Sequence, residues 1–462
     1  MKAPSSSTEF GVAKGPIVVL VILALIVLEI GLKLFSNPAP TIEPAEQIQG
    51  IGLSRSVNFV VRDSRYRITH VSIAVLQQGH AFPASVTLRR APAASKGKKT
   101  RFAVDASAQI GRREMPQLQQ GEATIQVTAV NNSWGRFFQG GERVFKMSVP
   151  VRFMPPQVEV LSPQQYVNQG GCSMVIFTVS AGTVKSGVQV GDDYFPSWPV
   201  KETQPQTRLA LFAFSYNIDP NTPARIVAED DAGNKTVASF NYKVFPKRFP
   251  VTTLTISDAF MQRVVPPILS QTTAIHDQGN LVSNYVEINR DLRKVDARRI
   301  IQFSKETNPK FMWSGAFLRL PNTKAEANFA DQRTYVYDGK VIDHEVHLGD
   351  DLASVAHSTV VAANDGLVIY AGWFDIFGNA VIIDHGCGLQ TLYGHMASFT
   401  VKPGELVKRG QSIGYSDSTG LAGGDHVHFE VMLDGVPVNP KEWWDPHWIH
   451  DQITAKLQEY GQ

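Results

Sequence analysis

Residues 426–431 read His426-Val427-His428-Phe429-Glu430-Val431. The alternation is that of a half-buried strand. With a side-chain period of two, His426, His428 and Glu430 face one side, while Val427, Phe429 and Val431 face a core. Two imidazoles side by side on such a strand are costly to bury unless hydrogen-bonded or metallated. Upstream, His347-Leu348-Gly349-Asp350-Asp351 places an imidazole four residues before a carboxylate, across a glycine, and Tyr393-Gly394-His395 ends another apolar strand. With strand-like runs at 360–363, 367–370 and 380–383, residues 326–445 read as a final domain rich in β-strands. Nine of the chain's 12 histidines lie between His344 and His450.

These residue types suit one chemistry. A catalytic zinc keeps three protein ligands and one open position, and two histidines with one carboxylate neutralise its charge only in part. Bound water then ionises near neutral pH. Amide hydrolysis further requires proton transfer and stabilisation of an oxyanion, which spare histidines beside the metal can supply. Among the other polar residues of the segment, Glu430 shares the site face and is a candidate to orient a ligand. His385 reads as structural, His344 and Asp350 as surface residues, and Cys387 as a small apolar filler.

Taken together, HLGDD at 347–351, YGH at 393–395 and STGLAGGDHVHFEV at 418–431 resemble the lysostaphin/LytM-type zinc metallopeptidases, which cleave peptidoglycan cross-bridges. The spacers agree: Ala363-Asn364-Asp365-Gly366-Leu367-Val368, then Gly378-Asn379 and Ile383-Asp384-His385-Gly386, then the glycine-punctuated stretch from Val401 to Gly414. The resemblance covers about a quarter of the chain. It implies an antiparallel β fold for residues 326–445, that His347, Asp351 and His428 bind Zn2+, and that His395 and His426 act on the water and the tetrahedral intermediate. His426 is favoured as base and His395 as oxyanion stabiliser, with exchange of the two roles left open. No expected ligand is missing, which counts against the degenerate members of the family that act only as activators.

The rest of the chain reads as a support for this domain. Lys+Arg (44) and Asp+Glu (42) nearly cancel, so a nucleic-acid binder is not suggested. Two cysteines, Cys172 and Cys387, rule out a disulfide scaffold or a cysteine-rich zinc module. Ile17 to Leu28 is unbroken apolar sequence and continues past Glu29 to Phe35, long enough for a bilayer, with Glu29 and Lys33 able to pair near its outer end. A retained anchor competes with a cleaved signal peptide, and Ser36-Asn37-Pro38-Ala39-Pro40 fits a cleavage site poorly, so we expect a cytoplasmic tail over 1–15, a retained transmembrane anchor over 16–35 and a Pro- and Ala-rich stalk over 36–55. Alternating runs with Asn/Asp/Gly turns and closing prolines predict two immunoglobulin-like β-sandwich modules at 56–156 and 157–248. Leu281, Tyr285, Ile288, Leu292 and Val295 form a helical stripe within a connector over 249–325, and residues 446–462 form a tail.

The expected whole is a mostly β protein of the cytoplasmic membrane, single-pass, with its catalytic domain in the periplasm or extracytoplasmic space. Its expected substrate is the stem peptides or cross-bridges of peptidoglycan. Its rivals are a non-catalytic scaffold or activator of other hydrolases, and a protease acting on a secreted protein. The aromatic segment Phe311 to Lys340 is a candidate to lie across the groove.

Overall fold

Alternation in the first β-rich segment produces two four-stranded antiparallel sheets packed face to face. One has the order Thr41–Pro44, Arg55–Asp63, Phe102–Ile110, Val86–Arg90, and the other His80–Ala84, Ile68–Gln77, Gly121–Asn131, Glu142–Val151. Val57, Phe59 and Val61 of the first sheet meet Ile73, Val75, Ile125 and Val127 of the second in a fully buried core. The structure, a computed structural model, describes residues 14–91 and 101–460. It divides into two units, Met1–Pro155 with Asp230–Asn234, and Pro156–Glu229 with Lys235–Gln462.

The Pro- and Ala-rich stretch read as a stalk is not a free linker. Thr41–Pro44 pairs with Arg55–Asp63, setting Ile42 opposite Val61, and Ile42, Ile48 and Ile51 are buried in the sandwich. Three isoleucines among prolines are enough apolar surface to dock an extended segment, and composition alone hides them. Lys14–Phe35 forms a helix of 22 residues. Residues 1–13 of the expected tail lie outside the described residues, as do the side chains of residues 14–18 and 20. Among the described residues, no helix is long and apolar enough to cross a membrane.

In the second unit, one sheet has the order Trp198–Lys201, Gln204–Ala213, Cys172–Val179, Val158–Val160, and a second the order Asp193–Pro196, Thr183–Val190, Ala224–Asp230, Lys235–Ala238. The C-terminal segment is a ten-stranded sheet. Its main path runs Lys324–Ala327, Asp350–Ala353, Val427–Leu433, Leu389–Phe399, Asn379–Gly386, Gly366–Trp373, Leu406–Val407.

The segment read as a connector is instead part of this body. Val251–Thr255 adds a parallel strand to Asp331–Tyr337, which pairs in turn with Lys340–His347. Helices follow at Asp258–Gln271 and Leu281–Glu287. The second continues through a wide turn at Ile288–Leu292 into Arg293–Ser304. Ser257 and Asn280 cap the first two, each side-chain oxygen accepting a backbone N–H three residues on. The predicted stripe buries Tyr285, Ile288 and Leu292 against Ile376, Phe377, Ile382, Leu392 and Met432 of the sheet domain. A strand and three helices thus wall one side of the sheet, which periodicity along one segment does not reveal.

Nor do the last residues form a tail. Pro446–Ile449, His450–Thr454 and Ala455–Tyr460 are helical, and Ile449 and Ile453 are buried. The Lys456 ammonium is buried too, bonding Gln165, Ser173 Oγ (3.2 Å) and the Met174 carbonyl (3.0 Å).

Candidate metal centre

His347 closes the strand Lys340–His347, and Gly349 then turns the chain into Asp350–Ala353. That short strand pairs with Val427–Leu433 so that Asp351 stands opposite His428. The turn requires glycine, because a Cβ at position 349 would lie 2.6 Å from the Phe429 carbonyl and 2.8 Å from His428 Nε2. On the other flank of Val427–Leu433, Gly394 stands opposite His428, and His395 follows in the left-handed region at φ +60°. The Asp417 amide bonds the His395 carbonyl, and the His426 amide bonds the Asp417 carbonyl, so one loop ties both residues to the same rim. Strand register, not sequence proximity, assembles the five residues.

Three donor atoms converge. His347 Nε2 lies 2.9 Å from Asp351 Oδ1 and 3.0 Å from His428 Nδ1, and His428 Nδ1 lies 2.9 Å from the same carboxylate oxygen. The remaining ring nitrogens are occupied elsewhere. His347 Nδ1 bonds the Asn328 carbonyl at 3.1 Å, and His428 Nε2 bonds Glu430 Oε1 at 2.8 Å. An N–H on each of those outer nitrogens leaves a lone pair on each inner one. Two imidazole lone pairs and a carboxylate oxygen then face a common point, the donor chemistry that zinc takes, with outer partners that fix each ring.

The electrostatics fit a cation there. Burial, the largest influence on His428, disfavours its charged form, yet the bonds to Asp351 and Glu430 prevail and raise it to about 9. Burial likewise works to raise Asp351, and the surrounding histidines outweigh it, holding the carboxyl well below its ordinary range. His347 is pulled down by burial. The cluster therefore calls for a positive charge among its donors.

His395 and His426 stand beside it. His426 Nε2 is 3.4 Å from Asp351 Oδ1, and the His395 and His426 ring centres are 4.8 Å apart. Each uses Nδ1 on a backbone carbonyl, His395 on Thr419 (2.7 Å) and His426 on Gly424 (2.8 Å), so that Nε2 is the atom by which His426 meets Asp351. Burial holds His395 well below its ordinary value, with His426 and His428 adding to the effect. For His426, burial works downward but the bond to Asp351 gives a net rise.

Residues 345–440 match the model of Peptidase family M23. They form an M23 domain.

Relatives align over part of the chain. DD-carboxypeptidase/endopeptidase Mpg of Neisseria meningitidis is 40% identical over 95 residues, 21% of this chain and 22% of that protein. Peptidoglycan DD-endopeptidase ShyB of Vibrio cholerae is 36% identical over 128 residues, 27% of this chain and 29% of that protein. Murein hydrolase activator EnvC of Escherichia coli is 39% identical over 84 residues, 18% and 20% of the two chains. The chain thus spans between a fifth and a third of the length of these curated relatives.

Other residues of the M23 domain divide as follows. His385 is fully buried between the Asp365 carbonyl and Thr391 Oγ1, both at 2.8 Å, and burial lowers it to about 4. His344 is exposed and touches Thr334. Glu430 holds His428, and Cys387 is buried with its thiol against the Pro309 carbonyl. Asp350 is not a surface residue. It is fully buried, and its Oδ1 accepts the Phe329 amide at 2.7 Å, fixing the loop whose Asn328 carbonyl holds His347. Next to Asp351 on a short strand, it faces the opposite side, and that side is a loop rather than solvent.

Sequence reading missed Arg333 and the outer wall. Arg333 Nη2 lies 3.4 Å from Asp351 Oδ2, and its Nε lies 3.2 Å from Asp331 Oδ2. Asp331 and Arg333 are two apart and so share a strand face, a weak signal that was present. The site opens into a cleft of about 350 Å³ whose wall includes Ile256, Phe260, Tyr285, Arg293 and Tyr335. Within Phe311 to Lys340, Arg333 and Tyr335 line the cleft, whereas Trp313 and Phe317 pack beside Trp443 in the core.

Proposed function

We propose that the chain is a membrane-anchored zinc metalloendopeptidase that hydrolyses peptide cross-links of peptidoglycan. The observation that carries this reading is the meeting of His347 Nε2, Asp351 Oδ1 and His428 Nδ1 with outer partners that leave their lone pairs inward. Zinc held by these three residues would polarise the scissile carbonyl and lower the pKa of the attacking water to about 7. His426 accepts the water's proton at Nε2 while Gly424 holds its Nδ1–H, then passes the proton to the leaving amine. The Thr419 carbonyl takes the Nδ1–H of His395 and burial keeps that ring neutral, so its Nε2 presents a lone pair and donates to the oxyanion of the tetrahedral intermediate only once it has taken up a proton. The cleft excludes bulk solvent on the side of Tyr285 and Tyr335, strengthening these interactions.

Peptidoglycan as substrate is supported by the relatives named for that activity and by the motif set. The anchor is supported by the apolar sequence from Ile17 to Phe35 within one helix. The orientation proposed leaves the M23 domain in the extracytoplasmic space. We read both sandwiches as immunoglobulin-like spacers on the strength of their size and two-sheet build. A second reading, activation of another hydrolase, is favoured by the likeness to EnvC, while a full set of ligands and helper histidines favours catalysis.

Mass spectrometry of sacculus fragments released by the zinc-loaded chain and by its His426→Ala variant tests the proposal. Peptide fragments that vanish with the variant support an endopeptidase and identify the bond. Tight zinc binding with no fragments from either protein would establish the activator instead.

A further inference from the structure

We infer that the end of the first β sandwich nearest the apolar helix is a lipid-binding face that docks on an anionic bilayer. The inference rests on the anchored reading and adds to it a surface outside the helix.

Seven chain segments meet at this end of the sandwich. Strand register places Thr41 opposite Arg62, Asp63 opposite Phe102, Arg90 opposite Val104, Ile68 opposite Asn131 and Val130 opposite Glu142. The loop after Asn131 carries Trp134, Phe137 and Phe138, whose residues are 55%, 59% and 69% exposed. Three large aromatic residues left in water at one loop are a contiguous apolar feature rather than scattered surface. Its backbone is not a default turn: Arg136, Phe137 and Phe138 hold φ of 51°, 56° and 68° in succession. Non-glycine residues rarely sit there, and a run of them signals a conformation imposed by its surroundings.

Those surroundings are the exit of the apolar helix. The Arg136 amide bonds the Ser36 carbonyl at 3.1 Å. Asn37 exchanges two bonds with the Glu142 backbone, and Asn131 Nδ2 bonds the Pro38 carbonyl at 2.6 Å. A Cβ at Gly135 would lie 2.4 Å from the Ser36 carbonyl oxygen, so the loop fits only with glycine there. The Phe35 ring stacks edge-on against Phe137 at 4.7 Å. The chain leaving the helix is thus stitched to the aromatic loop, with no slack between them. If the helix spans the bilayer, the loop lies at the level of the headgroups, where tryptophan and other aromatic residues are favoured.

The charge at the same end matches an anionic surface. Arg67, Arg89, Arg90 and Arg101 line one concavity, and none has a carboxylate partner among the described residues. The Arg67 segment joins the aromatic loop directly, since the Arg67 amide bonds Asn132 Oδ1 at 2.9 Å and the Asn132 amide bonds the Arg67 carbonyl at 3.0 Å. Aromatic side chains beside unpaired guanidinium groups fit the boundary of acyl chain and phosphate, which offers apolar and anionic contacts together.

The full chain is reconstituted in vesicles of phosphatidylcholine alone, and of phosphatidylcholine with one third phosphatidylglycerol. The Trp134 signal is the difference in fluorescence between the parent and Trp134→Phe. Lipids brominated near the top of the acyl chain should quench it, more strongly with phosphatidylglycerol than without. Arg89→Gln with Arg90→Gln should weaken docking about fivefold per arginine and remove most of the lipid-dependent difference. Phe137→Ser with Phe138→Ser, at exposed positions that do not support the core, should diminish quenching in both lipids. If the chain floats with vesicles but Trp134 is quenched no more than a water-exposed indole, the lipid-binding face is refuted and the anchor stands. If the chain does not float with either vesicle, the anchor and this inference fall together.

Discussion

Removing the Glu430 carboxylate should weaken zinc binding in a way that depends on pH. Glu430 Oε1 accepts the His428 Nε2–H at 2.8 Å, and both groups are buried. Outer partners of this type typically contribute 10- to 100-fold to metal affinity, about 1.4–2.7 kcal/mol. Glu430→Gln keeps an acceptor oxygen and loses the charge, so it belongs near the lower figure. Glu430→Ala strands a buried N–H, which itself costs about 1–3 kcal/mol, and belongs near the upper one. A second effect runs the other way. His428, raised to about 9, must lose its proton to bind zinc, which at pH 7 costs roughly two decades of apparent affinity. Without Glu430 the imidazole is less basic and this competition falls. The loss on substitution should therefore be largest near pH 9 and shrink toward pH 6.5. Zinc affinity measured by chelator competition across that range, with circular dichroism to confirm folding, provides the test. A Glu430→Ala protein that stays folded and binds zinc within twofold of the parent at every pH would refute the idea that His428 offers Nδ1 to the metal.

Further outcomes follow from the same geometry. Asp351→Asn and His347→Ala should abolish stoichiometric zinc, read by elemental analysis, and chelator treatment of the parent should remove an activity that added zinc restores. His395→Ala and His426→Ala should retain zinc yet lower kcat by about 10²- to 10⁴-fold in fragment-release assays. Gly349→Ala should lower Tm and zinc affinity together, since its Cβ meets the Phe429 carbonyl and His428, with overpacking of this kind costing about 1–3 kcal/mol. Lys456 is lowered by burial to about 7, below its unfolded value, so between pH 7 and about 10 the unfolded chain binds the extra proton. Stability should rise with pH across that window, and the slope measured by urea unfolding should lessen in Lys456→Met.

The sheet domain and its polar face were legible because both are local. An alternation of period two places His426, His428 and Glu430 on one face wherever the strand goes, and the blocks around His347 and His395 carry the family likeness to the matched region. Three other features depended on contacts distant in sequence. Asp350 looked like surface because nothing nearby says that the Phe329 amide will cover it. Residues 36–55 looked like a linker because three isoleucines bury against strands that come later in the chain. The helices after Asp258 looked like a connector because the stripe of Tyr285, Ile288 and Leu292 does not name its partner.

The sequence by itself determined which side chains stand as candidates for the proposed metal chemistry: four histidines and one aspartate, with a glycine where the chain must turn tightly. Only the tertiary structure decided which nitrogen of each ring faces inward. That choice belongs to the Asn328, Thr419 and Gly424 carbonyls and to Glu430, whose positions relative to the rings depend on loop packing as well as strand register. A backbone carbonyl looks the same at every residue, so no pattern of side chains could have announced it.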